Sequence, residues 1–402
     1  MPVSSIPTPP APSSRVPARP QVPLAPVLSR ASFARTGGAA LPSVLDAGPA
    51  WQVTSGRIAL ALALRALGVG PGDIVLLPAY HSLSMVPPVL WRGAEPLFYR
   101  VGLDTAADLD DIAAKLGPRV KALVVTHYFG FHQDMTAIRA FCERHHLALI
   151  EDCAHAFFGE HARRPLGSFG DFAIASSMKF FPGYDGGVLV ARRPLALALH
   201  SAGAGFELKA MLNTLELSFA YGRLPLLRAV LAPLLQAKDS LWRALKRRGV
   251  ASAPAAPGSS SSGVEFEPAW LERRASWFAR RLLRKVSGAR IVDARRRNYL
   301  ALQRELGALP GCRPLYPRLP DGVCPWLFPL LVDDPEPVFA QLLARGVPVT
   351  RFASTLWPGV DADTCAASMR LSRQVLALPV HQELLDREVT WLAQQAREAL
   401  CA

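Results

Sequence analysis

Residues 147–156 read LALIEDCAHA, and residues 174–187 read IASSMKFFPGYDGG. The first is a short β-rich apolar run that stops on an acidic residue, Asp152. An aspartate directly after such a strand stands at the carboxyl edge of a parallel sheet, where α/β proteins place their ligands. The second carries Lys179 about one strand and one turn later, flanked by Met178, Phe180 and Phe181. A solvent-facing lysine rarely sits inside so apolar a stretch. Gly186 and Gly187, after Asp185, let the backbone turn closely into the next strand.

Outward from these two segments, residues 55 to 190 alternate helix-period stretches with short β-rich runs. GRIALALALRALG (56–68) reads as a helix and IVLLP (74–78) as a strand. SMVPPVLWRG (84–93) is a helix interrupted by prolines, followed by the strand EPLFYRV (95–101). DLDDIAAKL (108–116) is helical, KALVVTHY (121–128) a strand, and DMTAIRAFCERHH (134–146) a helix with Asp134 near its start. LALIED (147–152), FAIASS (172–177) and GGVLVAR (186–192) complete the strands. This rhythm predicts an α/β fold, a mostly parallel sheet with crossover helices. After Arg193 the strand signal stops, and 203–249 reads as helices rich in Leu, Ala and Arg. The last hundred residues mix strands (WLFPLLV, VPVTRF) with helices (EPVFAQLLARG, DREVTWLAQQAREAL). The expected organisation is a disordered Pro-rich lead-in over 1–35, a large domain over 36–202, a helical insertion over 203–290 with a low-complexity linker at 251–263, and a small α+β domain over 291–402.

A chain of 402 residues, half of them hydrophobic, has material for two or three units with a sizeable core. The formal net charge of +13 raises nucleic acid, anionic lipid or phosphorylated substrates as partners. No nucleic-acid recognition module supports the first. The six cysteines lack CxxC spacing, so neither a metal site nor a disulfide framework is expected, and a reducing cytoplasm fits. The lead-in has no continuous apolar core of a secretory signal, and 211–236 is broken by charges and prolines, so no membrane span is expected. The basic, aromatic segment 268–285 is either a solvated face folded over the protein or a helix resting on anionic lipid.

The chemistry follows from the lysine and the aspartate. A lysine amine can hold an aldehyde cofactor covalently, and a buried aspartate can keep a pyridine nitrogen protonated so that the ring withdraws electrons. Lys179 and Asp152 therefore point to pyridoxal 5'-phosphate, with His155 over the ring or on its phenolic oxygen. The plainer reading makes Asp152 a helix cap and His155 an interior polar group. Ser55, Gly56 and Arg57 open the first helix, where free N–H groups and the dipole would face a phosphate, with Ser176 adding a hydroxyl. An ordinary serine N-cap is the alternative there. Tyr80 and His81, directly after IVLLP, are candidates to stack on the cofactor ring.

These residues resemble the sugar aminotransferases of the DegT/DnrJ/EryC1/StrS group, which are fold-type I pyridoxal-phosphate enzymes. The likeness runs through SGRIALALALRALGVGPGDIVLLPAY (55–80), THYFGFHQDM (126–135), IEDCAHAFFG (150–159) and GSFGDFAIASSMKFFPGYDGG (167–187), and resumes at RLSRQVLALPVHQEL (370–384). It implies that Lys179 bonds the cofactor, Asp152 pairs with the pyridine nitrogen, His155 meets the ring oxygen, and Ser176 joins Gly56 and Arg57 on the phosphate. Four departures stand out. Arg57 replaces a usual threonine. The stretch from Ser176 to Lys179 is two residues shorter than the pattern. Ser82 occupies the place of a stacking aromatic, leaving Tyr80 or His81 to substitute. The Asn-containing segment that reaches the neighbouring subunit has no counterpart.

The resemblance implies a transaminase that moves an amino group from a donor such as glutamate to a nucleotide-linked keto-sugar in polysaccharide or glycan biosynthesis, working as a homodimer. The retained lysine favours amino transfer over the family's dehydratases, in which histidine replaces it. The alternative is a catalytically silent protein of the same fold that acts at a membrane surface in polysaccharide assembly.

Overall fold

The computed structural model describes residues 21–35, 37, 41–233, 235 and 266–402. At its centre is a seven-stranded sheet made of β1 (Ala50–Val53), β2 (Ile74–Pro78), β3 (Glu95–Tyr99), β4 (Val120–Thr126), β5 (Ala148–Asp152), β8 (Phe172–Ala175) and β9 (Gly187–Ala191), in the order β1-β9-β8-β5-β4-β2-β3. Two short strands, β6 (Glu160–His161) and β7 (Arg164–Pro165), form a separate hairpin. The five strands from β3 to β8 pair in parallel, and β9 and β1 close one edge antiparallel. Strands β2 and β9 are buried at every position, which is why they read as continuous apolar runs rather than alternating ones.

Helix α1 (Gly56–Ala66) buries every residue from Ile58 to Leu64, as a helix enclosed on all sides must. Ser55 caps it, its Oγ accepting the Ile58 N–H at 3.3 Å. Helices α2 (Val86–Trp91), α3 (Leu109–Ala114) and α4 (Met135–Arg144) connect the parallel strands, and Asp134 caps α4 as its sequence position suggests.

The C-terminal part is a three-stranded antiparallel sheet, β10 (Cys312–Pro314), β11 (Leu327–Val332) and β12 (Val375–Pro379). Four helices go with it, Gly288–Leu306, Pro335–Ala344, Ala362–Gln374 and Asp386–Leu400. VPVTRF does not form the expected strand; only Thr350 bridges to Ala377. The place beside β11 is taken by VLALP (375–379), an apolar run directly after a helical pattern, whose period alone cannot be told from a helix tail.

The lead-in departs from expectation. From Val22 onward it is packed, with Val22, Val27 and Leu28 buried. Ser29 Oγ and Ser32 Oγ donate to the two oxygens of Glu383 at 2.5 and 3.0 Å, and His381 Nε2 lies 2.9 Å from the Pro23 carbonyl. Three apolar side chains and a waiting carboxylate offset the ordering that proline-rich composition argues against. The linker 251–263 and residues 1–20 lie outside the described residues. The helical region after Arg193 contains α5 (Ala204–Ala220) and the helix Trp277–Lys285, tied back by the Arg223–Glu388 ion pair at 2.7 Å. Among the described residues no helix is long and apolar enough to cross a membrane.

Candidate active site

The carboxyl edge of the sheet carries two adjacent carboxylates with different tasks, because neighbouring residues of a strand face opposite sides. Glu151 faces the turn before β8. Its Oε1 accepts the Phe169 and Gly170 N–H groups at 2.5 and 2.6 Å, and its Oε2 accepts that of Gly167 at 2.9 Å. His127 Nε2 lies 3.5 Å from the same carboxylate, while its Nδ1 accepts the Gln133 N–H and so leaves the ring proton on Nε2. Cys153 Sγ completes a buried group of metal-ligand types, but the Glu151 oxygens are already engaged.

Asp152 faces the cleft. Its Oδ1 accepts the Ala154 N–H at 2.9 Å and its Oδ2 the hydroxyl of Thr126 at 3.2 Å; Thr126 is its register partner at the end of β4. Burial raises the Asp152 carboxyl above the usual range, against the pull of the Ala154 N–H and the Lys179 charge.

Lys179 ends the 3-10 turn Ser177–Lys179 that follows β8. Its Nζ lies 4.6 Å from the centre of the Trp326 ring. Burial pushes the amine down to about 8, with Asp152 acting in the opposite sense. The turn depends on Gly186, whose φ is +145° and where a Cβ would stand 2.2 Å from Ser177 Oγ. His155 lies flat on Trp326, centroids 3.9 Å apart, with Phe352 edge-on at 4.6 Å. Its Nδ1 is buried and has no hydrogen-bond partner. An unanswered polar atom in such a place is costly unless a ligand answers it.

The other end of the cleft is the start of α1. Ser55, Gly56 and Arg57 line it, with Ser176 across from them and Asp152, His155 and Lys179 completing the wall. Strand β9 presses backbone to backbone against this helix start: a Cβ on Gly187 would stand 2.2 Å from the Ser55 carbonyl carbon and 2.6 Å from the Gly56 nitrogen. An α-helix start with a serine on each side and an arginine in its first turn is a site for an anion such as phosphate.

Tyr80 and His81 do not take the stacking role expected of them. The Tyr80 ring packs on Tyr128 at 5.3 Å and its hydroxyl donates to the Phe352 carbonyl. His81 stacks on Phe98, bonds the Ala79 carbonyl through Nδ1 and accepts the Trp357 N–H at Nε2. Leaving β2, the chain turns both rings into the core, and Ser82 and Ser84 reach the cleft instead. Thr126, Trp326, Phe352 and Arg295 were not singled out from sequence. Thr126 opens one of the family-like stretches, but Trp326 and Phe352 come from distant segments that only the fold brings to His155.

A buried carboxylate, a desolvated lysine, an orphaned imidazole nitrogen and an anion cradle around one cleft match the needs of pyridoxal phosphate. Comparisons with known proteins point to the same cofactor class. Residues 39–199 match the family described as "DegT/DnrJ/EryC1/StrS aminotransferase family". A UDP-N-acetyl-3-dehydro-alpha-D-glucosamine 3-aminotransferase of Acidithiobacillus ferrooxidans is 40% identical over 145 residues, 34% of this chain and 38% of that protein. A GDP-perosamine synthase of Escherichia coli O157:H7 is 30% identical over 200 residues, 48% of this chain and 55% of that protein. The chain thus spans about two fifths to just over half the length of these curated relatives. Among solved structures, the aminotransferase TlmJ of Streptoalloteichus hindustanus superimposes with a TM-score of 0.60 at 25% identity, covering 88% of this chain and 86% of that one. A putative sugar aminotransferase of Streptococcus pneumoniae in its PLP form shares the fold, with a TM-score of 0.65 at 17% identity over 94% of this chain and 98% of that one. The segment 39–199, which holds the cleft residues from Ser55 to Lys179, is thus similar to the DegT/DnrJ/EryC1/StrS aminotransferase family over about two fifths of the chain.

Proposed function

We propose that this protein is a pyridoxal-phosphate-dependent aminotransferase that moves an amino group from an amino acid such as glutamate to a keto-sugar, nucleotide-linked, in polysaccharide or glycan biosynthesis. The observation that carries this reading is Asp152, His155 and Lys179 on one cleft wall, beside the anion cradle of α1. When bound, the cofactor supplies an aldehyde and an electron-withdrawing ring. Asp152 holds negative charge for a protonated ring nitrogen, and Thr126 and the Ala154 N–H fix its oxygens. His155 offers its unanswered Nδ1 to the ring oxygen. Ser55, Gly56, Arg57 and Ser176 take the phosphate.

Lys179 Nζ both binds and moves protons. With its amine brought to about 8, roughly one molecule in ten holds it neutral at pH 7, enough to act as nucleophile and base while remaining an acid in the rest. The Trp326 face and the Asp152 charge keep that nitrogen over the cleft. Support for a nucleotide-linked sugar comes from those relatives named as a UDP-sugar 3-aminotransferase, a dTDP-sugar 4-aminotransferase and a GDP-perosamine synthase. We further propose a homodimer, a cytoplasmic setting in keeping with six unpaired thiols, and no nucleic-acid partner. A peripheral membrane contact through 268–285 rests on the exposed side of the helix Trp277–Lys285, where Arg281 lies over Trp277. Vesicle flotation decides it: no salt-sensitive recruitment to anionic vesicles removes the contact.

The test of the main reading is a panel of nucleotide-linked keto-sugars with glutamate and added pyridoxal phosphate, followed as 2-oxoglutarate formation. Turnover by the wild type and none by Lys179→Ala is expected. Equal turnover by both proteins overturns the reading.

A further inference from the structure

We propose that Arg295 is a positioning residue that fixes where the Lys179 amine and the Trp326 ring stand, an inference that rests on the aminotransferase reading above. Arg295 lies in the helix Gly288–Leu306 and is fully buried. No carboxylate hydrogen-bonds its guanidinium among the described residues; the nearby Glu383 gives its oxygens to Ser29, Ser32 and Arg290. A buried cation without a paired anion is costly, and an apolar side chain of similar volume would fill the space at less expense. What the guanidinium adds is a fork of donors in fixed directions.

Those donors converge on the active site's backbone. Nη2 donates to the Lys179 carbonyl at 2.8 Å. Nη1 donates to the carbonyls of Pro325 and Trp326 at 3.2 and 3.0 Å. Nε donates to Gln382 Oε1 at 3.1 Å, and the amide of Gln382 donates in turn to the Phe180 carbonyl at 2.8 Å. The cation also lies 4.4 Å from the centre of the Phe180 ring. Both carbonyls after the Lys179 α-carbon are therefore held, which fixes the direction in which that side chain leaves the turn. Trp326 is held from both sides, because its own N–H donates to the Phe129 carbonyl at 2.8 Å.

The turn itself supplies little of this order. Lys179 closes a single 3-10 turn, its N–H reaching the Ser176 carbonyl at 3.3 Å. The same Trp326 ring carries His155 on its face and Lys179 Nζ within 4.6 Å, so one guanidinium sets the relation among lysine, histidine and the wall between them. Arg295 is not among the residues that line the cleft; it acts through these three side chains.

The experiment measures the pH dependence of Lys179 acylation by acetic anhydride in the cofactor-free full-length chain, read by peptide mass mapping. Wild type, Arg295→Met, Arg295→Lys and Gln382→Leu are compared, each checked for folding by circular dichroism. Released from its desolvated place between Asp152, His155 and Trp326, Lys179 in Arg295→Met titrates at least one pH unit higher than in wild type. Arg295→Lys keeps the charge without the fork and recovers only part of the shift, and Gln382→Leu moves it by about half a unit in the same direction. A folded Arg295→Met with the wild-type midpoint overturns the proposal. If that variant does not fold, an unmoved midpoint in Gln382→Leu overturns it. Because this readout needs no cofactor, it stays separate from the aminotransferase reading, which fails on its own if added pyridoxal phosphate gives no Lys179-dependent absorption band.

Discussion

The amine of Lys179 should react as a neutral nucleophile near pH 8, not near 10.5. Burial lowers its proton affinity from the ordinary 10.5 to about 8. At about 1.36 kcal/mol per unit this is on the order of 3 kcal/mol of disfavoured charge, and roughly a 300-fold larger neutral fraction at pH 7 than for a surface lysine. The folded-state value lies below the unfolded one. The cost to the cofactor-free fold is therefore fully present below about pH 8 and disappears as the pH rises toward 10.5. Two results follow. The rate at which added pyridoxal phosphate builds its lysine-dependent absorbance should rise with pH to a midpoint near 8. The cofactor-free Lys179→Met variant should melt higher than wild type at pH 7, by no more than about 3 kcal/mol, and the gain should fade by pH 10.5. Asp152→Asn removes the neighbouring charge that favours the protonated amine and should move the midpoint lower still. A wild-type midpoint above pH 10, or an upward move in Asp152→Asn, refutes the reasoning.

Three other substitutions test how the frame holds the site. Gly187→Ala drives a Cβ into the Ser55 and Gly56 backbone, so it should cost ~3 kcal/mol or more and weaken cofactor binding; unchanged melting and affinity would contradict the close packing of β9 on α1. Glu151→Gln turns an amide donor toward backbone N–H groups that now meet a carboxylate, and chemical denaturation should show a loss of about 2–4 kcal/mol, while cofactor affinity in the folded protein stays near wild type. Arg223→Met leaves the buried Glu388 carboxylate without its cation, for a loss of about 3–5 kcal/mol that Arg223→Met with Glu388→Met should largely restore; a single variant as stable as wild type sinks this account of the tie.

Much of the sheet was legible because its strands are buried on both faces and separated by helices with plain period and caps, as with Asp134 and Ser55. The wall of the cleft was legible for the same reason: Asp152 ends β5 and Lys179 ends the turn that follows the neighbouring parallel strand β8, so sequence order places them at one edge. Sequence failed where long-range packing decides. Tyr80 and His81 follow a strand as ligand residues do, yet whether such a ring faces cleft or core depends on Tyr128, Phe98 and Phe352, which come from other segments. Arg295 stands in a run of three arginines that reads as a solvated helix face, and only its helix's seating against β11 and the Lys179 turn buries it. The packed stretch from Val22 escaped notice because its anchor, Glu383, lies near the far end of the chain.

The central claim is that one nitrogen, Lys179 Nζ, bonds the cofactor. Incubation with pyridoxal phosphate, reduction with borohydride and peptide mapping test it directly. The account predicts a single phosphopyridoxyl mass increment on the peptide containing Lys179, lost in Lys179→Ala. No increment there, or label spread over surface lysines alone, contradicts it.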